Sequence, residues 1–376
     1  MKITLFIPSL VGCGAERVLV NLANYLIEKG HNVCILNYYD NPSSYRLNER
    51  VERRFVYRKR EKPNIFKKVI PHFLPKLYDK LSERHRLHRL KHFIKESDTD
   101  CYLVMLERTI LDLLSLRKHV SCPIIASERN YPEKYNPAIK QKLYEMAPLA
   151  DGYVFQTQDA RDCYEDNINN YIIIPNALNS DFLNEEQFNG QRRNVIVNVG
   201  RLESQKNQEL LIRAFAKAEI PDYTLEIYGE GPLRPFLQNL IESLNLSGKV
   251  FLKGHVDNIK DLIRDAQVFV LSSDYEGIPN ALLEAMALGL PCVSTDCAGG
   301  GARVLINDGI DGLIVAVGNV DKMAAAIKTI LNDSAMARTI SANAIEKVKM
   351  FDAESIYSKW EEFILQTLKG NKSSEI

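Results

Sequence analysis

The feature that most limits what this chain can become is a series of short apolar runs without polar alternation, broken by helical stretches. Lys2–Pro8, Asn32–Tyr38, Cys101–Leu106, Pro123–Ser127, Gly152–Gln156 and Tyr171–Pro175 are such runs. A strand with one wet face alternates, whereas a strand covered on both faces does not. These runs therefore read as strands of a parallel sheet between helices. Between the first two lie a Gly-containing loop, Ser9–Gly14, and a helix, Ala15–Lys29. In that helix Val18, Leu19, Leu22, Ala23 and Leu26 repeat at helical spacing, and Gly30 stands where a glycine ends a helix. Strand, tight loop, helix and strand form the βαβ unit of a doubly wound sheet.

Residues 176–193 are polar and irregular and read as a linker. The same logic then restarts with Asn194–Gly200, a helix near Gln208–Lys217, the strand YTLEIYG and the helix PLRPFLQNLIESL. VFLKG, AQVFVLSS and PCVST follow as further strands. The expectation is an α/β protein of two doubly wound, Rossmann-like domains, residues 1–180 and 190–350, facing each other across a cleft. The length of 376 residues suits two domains and exceeds one comfortable core. Ligands bind such sheets at the carboxyl ends of the strands. The final segment, residues 354–370, carries Ile356, Trp360, Phe363 and Ile364 on one stripe and is expected to pack back on the first domain.

Two loops of the second domain carry residue types suited to a phosphorylated ligand rich in hydroxyls. GRLESQKN places Arg201 and Lys206 just after a strand, where a cation pair can neutralise a diphosphate. In SSDYEGIPNALLEAMALGLP a strand ends, a loop carries Glu276, and a helix starts near Pro279 or Asn280 with Glu284 inside it. Carboxylates accept from two hydroxyl donors at once, and the helix start offers free backbone N–H groups to an anion, so Gly277, Ile278, Pro279 and Asn280 are candidate donor-site residues. The competing reading is a pair of solvated cations, a loop acid and a surface glutamate.

The stretch from Ser272 to Asp296 resembles the signature of glycosyltransferase family 4, the retaining enzymes of the GT-B fold. That signature is a glutamate, seven intervening residues and a second glutamate, then a small helix, Gly and Pro; here they are Glu276, Glu284, Gly289 and Pro291. GRLESQKN resembles the family's diphosphate loop, YGEGPLR and FLKGHVDNI its nucleotide-side segments, and SLVGCGAERVLVNLA its N-terminal glycine loop. The matches run in the family's order over nearly the whole chain. The resemblance implies that Arg201 and Lys206 bind the diphosphate, Glu284 the ribose and Glu276 the donor sugar. It implies that Gly12, Gly14 and Gly229 lie close to the donor, and that the backbone at His255 and Val256 meets the base. It further implies a nucleotide-sugar donor, UDP by family habit, and no metal or other cofactor. Two departures stand out. The family's histidine segment reads SERN, so Arg129 beside Glu128 takes that place; both are candidate cleft residues, and an arginine there cannot act as a base. Where the family carries a glutamate before the next helix, this chain reads GGGARVLI.

Lys and Arg number 48, as do Asp and Glu, so global charge gives no reason to expect nucleic acid. Charge is nevertheless segregated. Residues 53–95 hold fifteen Lys and Arg against Glu61, Asp79 and Glu83, interleaved with apolar residues such as Phe66, Leu77 and Leu90. That stretch suits an anionic membrane surface, each cation near it contributing about 1 kcal/mol. A solvated helix face is the alternative. Seven cysteines without a CxxC pair read as reduced thiols of a cytosolic chain. MKITLFIPSLVG reads as a first strand rather than a signal peptide, and no run approaches a membrane span. The location expected is the inner face of the cell membrane, held peripherally.

Three motifs invite over-reading. Asp98-Thr99-Asp100 matches a metal-binding DxD but sits in a turn before a strand. His85, His88 and His92 share a helix face but are flanked by Arg84, Arg86, Arg89 and Lys91, which repel a cation. GCGAER lacks the third glycine of a dinucleotide fingerprint. The whole points to transfer of a hexose or N-acetylhexosamine to a lipid-linked glycan acceptor in bacterial surface polysaccharide (O-antigen or capsule) synthesis. Still open are a sugar-nucleotide epimerase or hydrolase of the same shape, or a non-catalytic partner of a glycan-assembly complex.

Overall fold

The structure, a computed structural model describing residues 1–57, 75–182, 188 and 190–372, answers the apolar runs with two all-parallel sheets. They belong to two units. One comprises Met1–Phe155, Arg161–Ile174 and Tyr357–Ile376; the other comprises Gln156–Ala160 and Pro175–Ile356.

The first sheet has seven strands: β1 (Lys2–Phe6), β2 (Asn32–Tyr39), β3 (Glu52–Tyr57), β4 (Cys101–Met105), β5 (Ile124–Ser127), β6 (Gly152–Phe155) and β7 (Tyr171–Ile173). Their order is β3-β2-β1-β4-β5-β6-β7. Thr4 of β1 pairs with Cys34 on one side and Tyr102 on the other, so the earliest strand lies in the middle. All five residues of β4 are buried, as unalternated sequence requires. The edge strand β3 escaped the sequence reading because its charged half, Glu52 to Arg54, looks like the start of the basic stretch.

The second sheet has six strands: β8 (Arg193–Val199), β9 (Thr224–Tyr228), β10 (Val250–Gly254), β11 (Ala266–Leu271), β12 (Cys292–Thr295) and β13 (Leu313–Val315). Their order is β10-β9-β8-β11-β12-β13. Alternate residues feed two cores. Ile196, Val268 and Val270 pack with Leu211, Phe215, Met323 and Ile327, from the helices Gln208–Ala218 and Val320–Asn332. Val197, Phe269 and Leu271 pack with Leu282, Leu283, Ala344 and Val348, from Asn280–Ala287 and Ser334–Val348. The stretch read as a linker is partly core. Leu178 and Phe182 are buried in the second cluster, and the Leu178 N–H donates to the Phe351 carbonyl at 2.7 Å. Two apolar side chains in a polar stretch were enough to seat it.

The closing helix, Ala353–Lys372, lies on the first unit through Tyr357 and the residues after it. Trp360 is fully buried, Phe363 covers Gly152, and His31 Nε2 meets Glu361 Oε1 at 2.8 Å.

The over-read motifs find structural duties. Asp100 accepts from the Lys2 N–H at 2.8 Å, and Asp98 pairs with the Lys2 ammonium, which ties down the amino end of β1. His85 stacks on Tyr57 with ring centroids 5.7 Å apart, while His88 and His92 are exposed. Among the described residues no group of His, Cys, Asp and Glu is placed to hold a metal ion. The basic stretch needs correction as a continuous surface. Arg53 donates to Asn37 Oδ1 and the Asn41 carbonyl, and Arg89 to the Val56 carbonyl. Arg86 is buried against Asp112. Guanidiniums reach inward here because β3 and the helix Pro75–Glu96 leave backbone and side-chain acceptors to satisfy. Among the described residues of the stretch Arg84, His88, His92 and Lys95 are exposed, but so are Asp79 and Glu83, and Arg54 is half-exposed beside Glu52; residues 58–74 lie outside the described residues. No described helix is long and apolar enough to cross a membrane.

Candidate active site

In the second sheet the strand order turns at β8 and β11: β9 and β10 follow on one side, β12 and β13 on the other. Loops leaving two such neighbours at their carboxyl ends diverge and open a ligand crevice. Arg201 and Lys206 leave β8, and Glu276 leaves β11, so sequence positions far apart arrive at one place.

There Glu276 is the hub. Its carboxylate pairs with the Lys206 ammonium, accepts from Ser273 Oγ at 2.7 Å, and lies 3.4 Å from Gln205 Nε2. The Glu276 side chain is 9% exposed and that of Lys206 18%, so this is a largely desolvated ion pair. The loops are pinned to each other as well. The Asp274 N–H donates to the Gln205 carbonyl, Asn207 Nδ2 to Asp274 Oδ1, and Ser272 Oγ to the Lys206 carbonyl, all within 2.7–2.9 Å. The Glu276 N–H donates to Ala298 beyond β12 at 2.9 Å. Asn207, at φ +42°, caps the next helix through its side chain and so ends the cation loop sharply. Such a network costs nothing to organise when a ligand arrives.

Arg201 is different. Its side chain is 57% exposed and pairs with Glu203 at 2.9 Å. An exposed cation thus stands in the same loop as the largely desolvated Lys206. Glu284 lies in the helix Asn280–Ala287 and is 7% exposed, so it is not the solvent-facing glutamate of the bland reading. The Ile278 side chain is 5% exposed and belongs to the core, which leaves its backbone to meet a ligand. Gly229, at φ +140°, donates to the Gly254 carbonyl, and a Cβ there would lie 2.0 Å from the Gly200 carbonyl oxygen. Glycine is therefore required by the chain's own backbone. His255 is exposed after β10, and Val256 packs on the core beside it.

In the first unit, Gly12 adopts φ +121° in the loop after β1, and Gly14 opens the following helix. Sequence reasoning missed Glu16. Its buried carboxylate accepts from Ser9 Oγ at 2.6 Å and from the N–H groups of Gly12 and Cys13 at 2.7 and 2.9 Å. The sequence does hold a signal, a glutamate three residues after a helix cap. Glu128 also needs correction as an open cleft carboxylate: it is fully buried, accepting from Tyr135 at 2.8 Å and Tyr164 at 2.6 Å. Those hydroxyls turn it inward. Arg129 is buried with its guanidinium 5.7 Å from the Trp360 ring centre, and burial lowers its pKa to about 9.

Burial raises the Glu128 carboxyl from 4.5 to about 7, against the pull of its tyrosine partners. A carboxyl raised in the fold keeps its proton while the unfolded chain has already lost its own. The stability it confers is full below about pH 4.5 and disappears as pH rises through about 7. Chemical denaturation of wild type should therefore lose roughly 3 kcal/mol between about pH 4.5 and 8, relative to Glu128→Gln. Parallel pH profiles for the two proteins would contradict this.

Residues 179–347 match the family model of the glycosyl transferases group 1. Over 373 residues, 97% of this chain and 99% of the relative, the sequence is 28% identical to a Campylobacter jejuni protein. That relative is the GalNAc-alpha-(1->4)-GalNAc-alpha-(1->3)-diNAcBac-PP-undecaprenol alpha-1,4-N-acetyl-D-galactosaminyltransferase. An uncharacterized glycosyltransferase of Methanocaldococcus jannaschii is 31% identical over 288 residues, 64% of this chain and 71% of its own length. Among solved structures, Staphylococcus aureus TarM, crystallised with fondaparinux, alpha-GlcNAc-glycerol and UDP, superposes with TM-score 0.79 at 16% identity. That superposition covers 96% of this chain and 99% of TarM, and it shows the shared fold.

Proposed function

Because this chain belongs to the group 1 glycosyltransferases, and is thus a sugar-transferring enzyme, we propose that it uses a nucleotide sugar and a lipid-linked glycan. The donor is a UDP-hexose or UDP-N-acetylhexosamine. The acceptor is a polyprenyl-diphosphate glycan of bacterial surface polysaccharide synthesis, O-antigen or capsule, met at the inner face of the membrane. The observation that carries the donor half is the Lys206–Glu276 pair, which sets a cation and a hydroxyl acceptor side by side. A nucleotide sugar presents a diphosphate and sugar hydroxyls side by side, because the phosphate is joined through one oxygen to the anomeric carbon of the sugar. Supporting the acceptor half is the Campylobacter relative, whose name describes an undecaprenol-linked glycan.

In this reading Lys206 and Arg201 neutralise the diphosphate, Glu276 holds the donor sugar and Glu284 the ribose. The backbone from Gly277 to Asn280 and at Gly229, His255 and Val256 lines the nucleotide. The acceptor hydroxyl forms its bond to the anomeric carbon on the face from which the diphosphate departs. The bond to the phosphate oxygen breaks, and that oxygen takes the hydroxyl proton, so no protein nucleophile enters. Charge neutralisation by the two cations makes a metal unnecessary. The exposed cations of the basic stretch face the anionic lipid surface.

The reading is tested by incubating the protein with a panel of UDP-sugars and undecaprenyl-diphosphate-linked oligosaccharides. The product linkage is then assigned by NMR. One donor should yield a glycoside with the donor's own anomeric configuration. An inverted product removes the mechanism, and release of free sugar regardless of acceptor replaces transfer by hydrolysis.

A further inference from the structure

We propose that Asn176, held by Gln156, is a positioning residue for the loop between Glu276 and Glu284. The proposal rests on the donor-site reading above and extends it to two residues outside the signature. Asn176 and Gln156 are 4% and 3% exposed, and both belong to the second unit. Asn176 Nδ2 donates to the Ile278 carbonyl at 3.1 Å and to Asn280 Oδ1 at 2.7 Å. Gln156 Nε2 donates to Asn176 Oδ1 at 2.6 Å.

One atom fixes this whole chain of amides. The Ile278 carbonyl can only accept, so the Asn176 amino group must face it. Asn176 Oδ1 then faces Gln156, which must present its own amino group, and Asn280 must turn its oxygen toward Asn176. The Ile278 carbonyl belongs to the peptide bond leading into Pro279, so holding it sets the orientation of the chain at the helix start. From another side the same loop meets Gly301, where a Cβ would lie 1.5 Å from the Gly277 carbonyl oxygen. Backbone therefore packs directly on backbone there. Between these two constraints the segment Gly277–Asn280 has one shape, and that shape fixes how Glu276 and Glu284 stand relative to each other. Asn280, a donor-site candidate by sequence, thus spends its side-chain oxygen on Asn176.

The discriminating substitution is Asn176→Asp. A carboxylate can still accept from Gln156, and the Asn280 amide can rotate to donate to it. Of these three bonds only the one to the Ile278 carbonyl cannot be remade, with oxygen set against oxygen. If that bond positions the loop, Asn176→Asp and Asn176→Ala should be equally impaired. The donor KM should rise about tenfold and kcat/KM should fall about 100-fold, with the acceptor KM unchanged. The donor used is whichever nucleotide sugar the wild-type protein turns over best. Hydrogen exchange at the amides of residues 274–285 should quicken in both variants, with the other strands protected as in wild type. A purely structural role would reduce the active fraction and leave the donor KM alone. A wild-type donor KM and wild-type loop exchange in Asn176→Asp overturn the proposal. If the wild-type protein turns over no nucleotide sugar, the functional reading fails instead, and the exchange rates still decide whether Asn176 holds the loop.

Discussion

Replacing Lys206 by methionine is expected to stop sugar transfer and weaken the fold together. Replacing Lys206 by methionine and Glu276 by leucine at once is expected to restore the fold and leave transfer dead. The reasoning starts from burial. With side chains 18% and 9% exposed, each charge has given up most of its water for the other and for Ser273. Removing one partner leaves the other charge stranded, which costs about 3 kcal/mol or more. Removing both leaves an apolar contact of similar volume, which is often neutral. Activity has no such recovery. Neither methionine nor leucine neutralises a departing phosphate or accepts from a sugar hydroxyl. The loss of kcat should reach at least about 10²–10³-fold, the scale for one preorganised contact to developing charge. Urea midpoints together with transfer rates read the two effects separately. A double variant as unstable as the single one would show that the pair is not coupled, and an active double variant would remove both residues from the mechanism.

The second large effect lies away from the proposed site. Asp112→Ala should lower the melting temperature by about 10 °C, corresponding to about 3–5 kcal/mol. Arg86, 8% exposed, donates Nη2 to Asp112 Oδ1 at 2.9 Å and pairs through Nε with the other oxygen. Tyr38 also donates to that carboxylate, at 2.5 Å, and its ring lies under the guanidinium. Without Asp112 a buried guanidinium and a buried hydroxyl lose their shared acceptor. A melting point within a degree or two of wild type would mean that the cluster is open to water. The result bears on membrane docking. Arg86 would then count as a structural residue, and the charge available to an anionic surface would come from exposed residues such as Arg84 and Lys95.

The sequence carried the parallel sheets because burial on both faces erases alternation, and that is visible residue by residue. It placed Arg201 and Lys206 after one strand, Glu276 after another and Glu284 in the next helix, as the structure has them, but it was the resemblance to a known family and not their spacing that singled these four out. It did not carry β3, whose charged residues obscure its two buried ones, or β13, which is too short for a pattern. The inward turn of Glu128 was also hidden, since Tyr135 and Tyr164 lie 7 and 36 residues away. Asn176 and Gln156 were invisible for the same reason: their partner Ile278 is 102 residues from Asn176, and nothing local marks an amide destined for a distant carbonyl.

Arg201 offers the cleanest test of the proposed role of this site. Its side chain is 57% exposed and its pair with Glu203 is a surface one, so Arg201→Ala should leave stability within about 0.5 kcal/mol of wild type. Nucleoside diphosphate released and glycoside formed can be counted in one reaction for the wild-type and variant proteins, with both melts recorded. A variant as stable as wild type whose kcat/KM has fallen about 100-fold or more is the result expected if Arg201 neutralises the departing diphosphate. A variant that folds alike and transfers sugar at the wild-type rate would contradict the assignment of the donor diphosphate to this site.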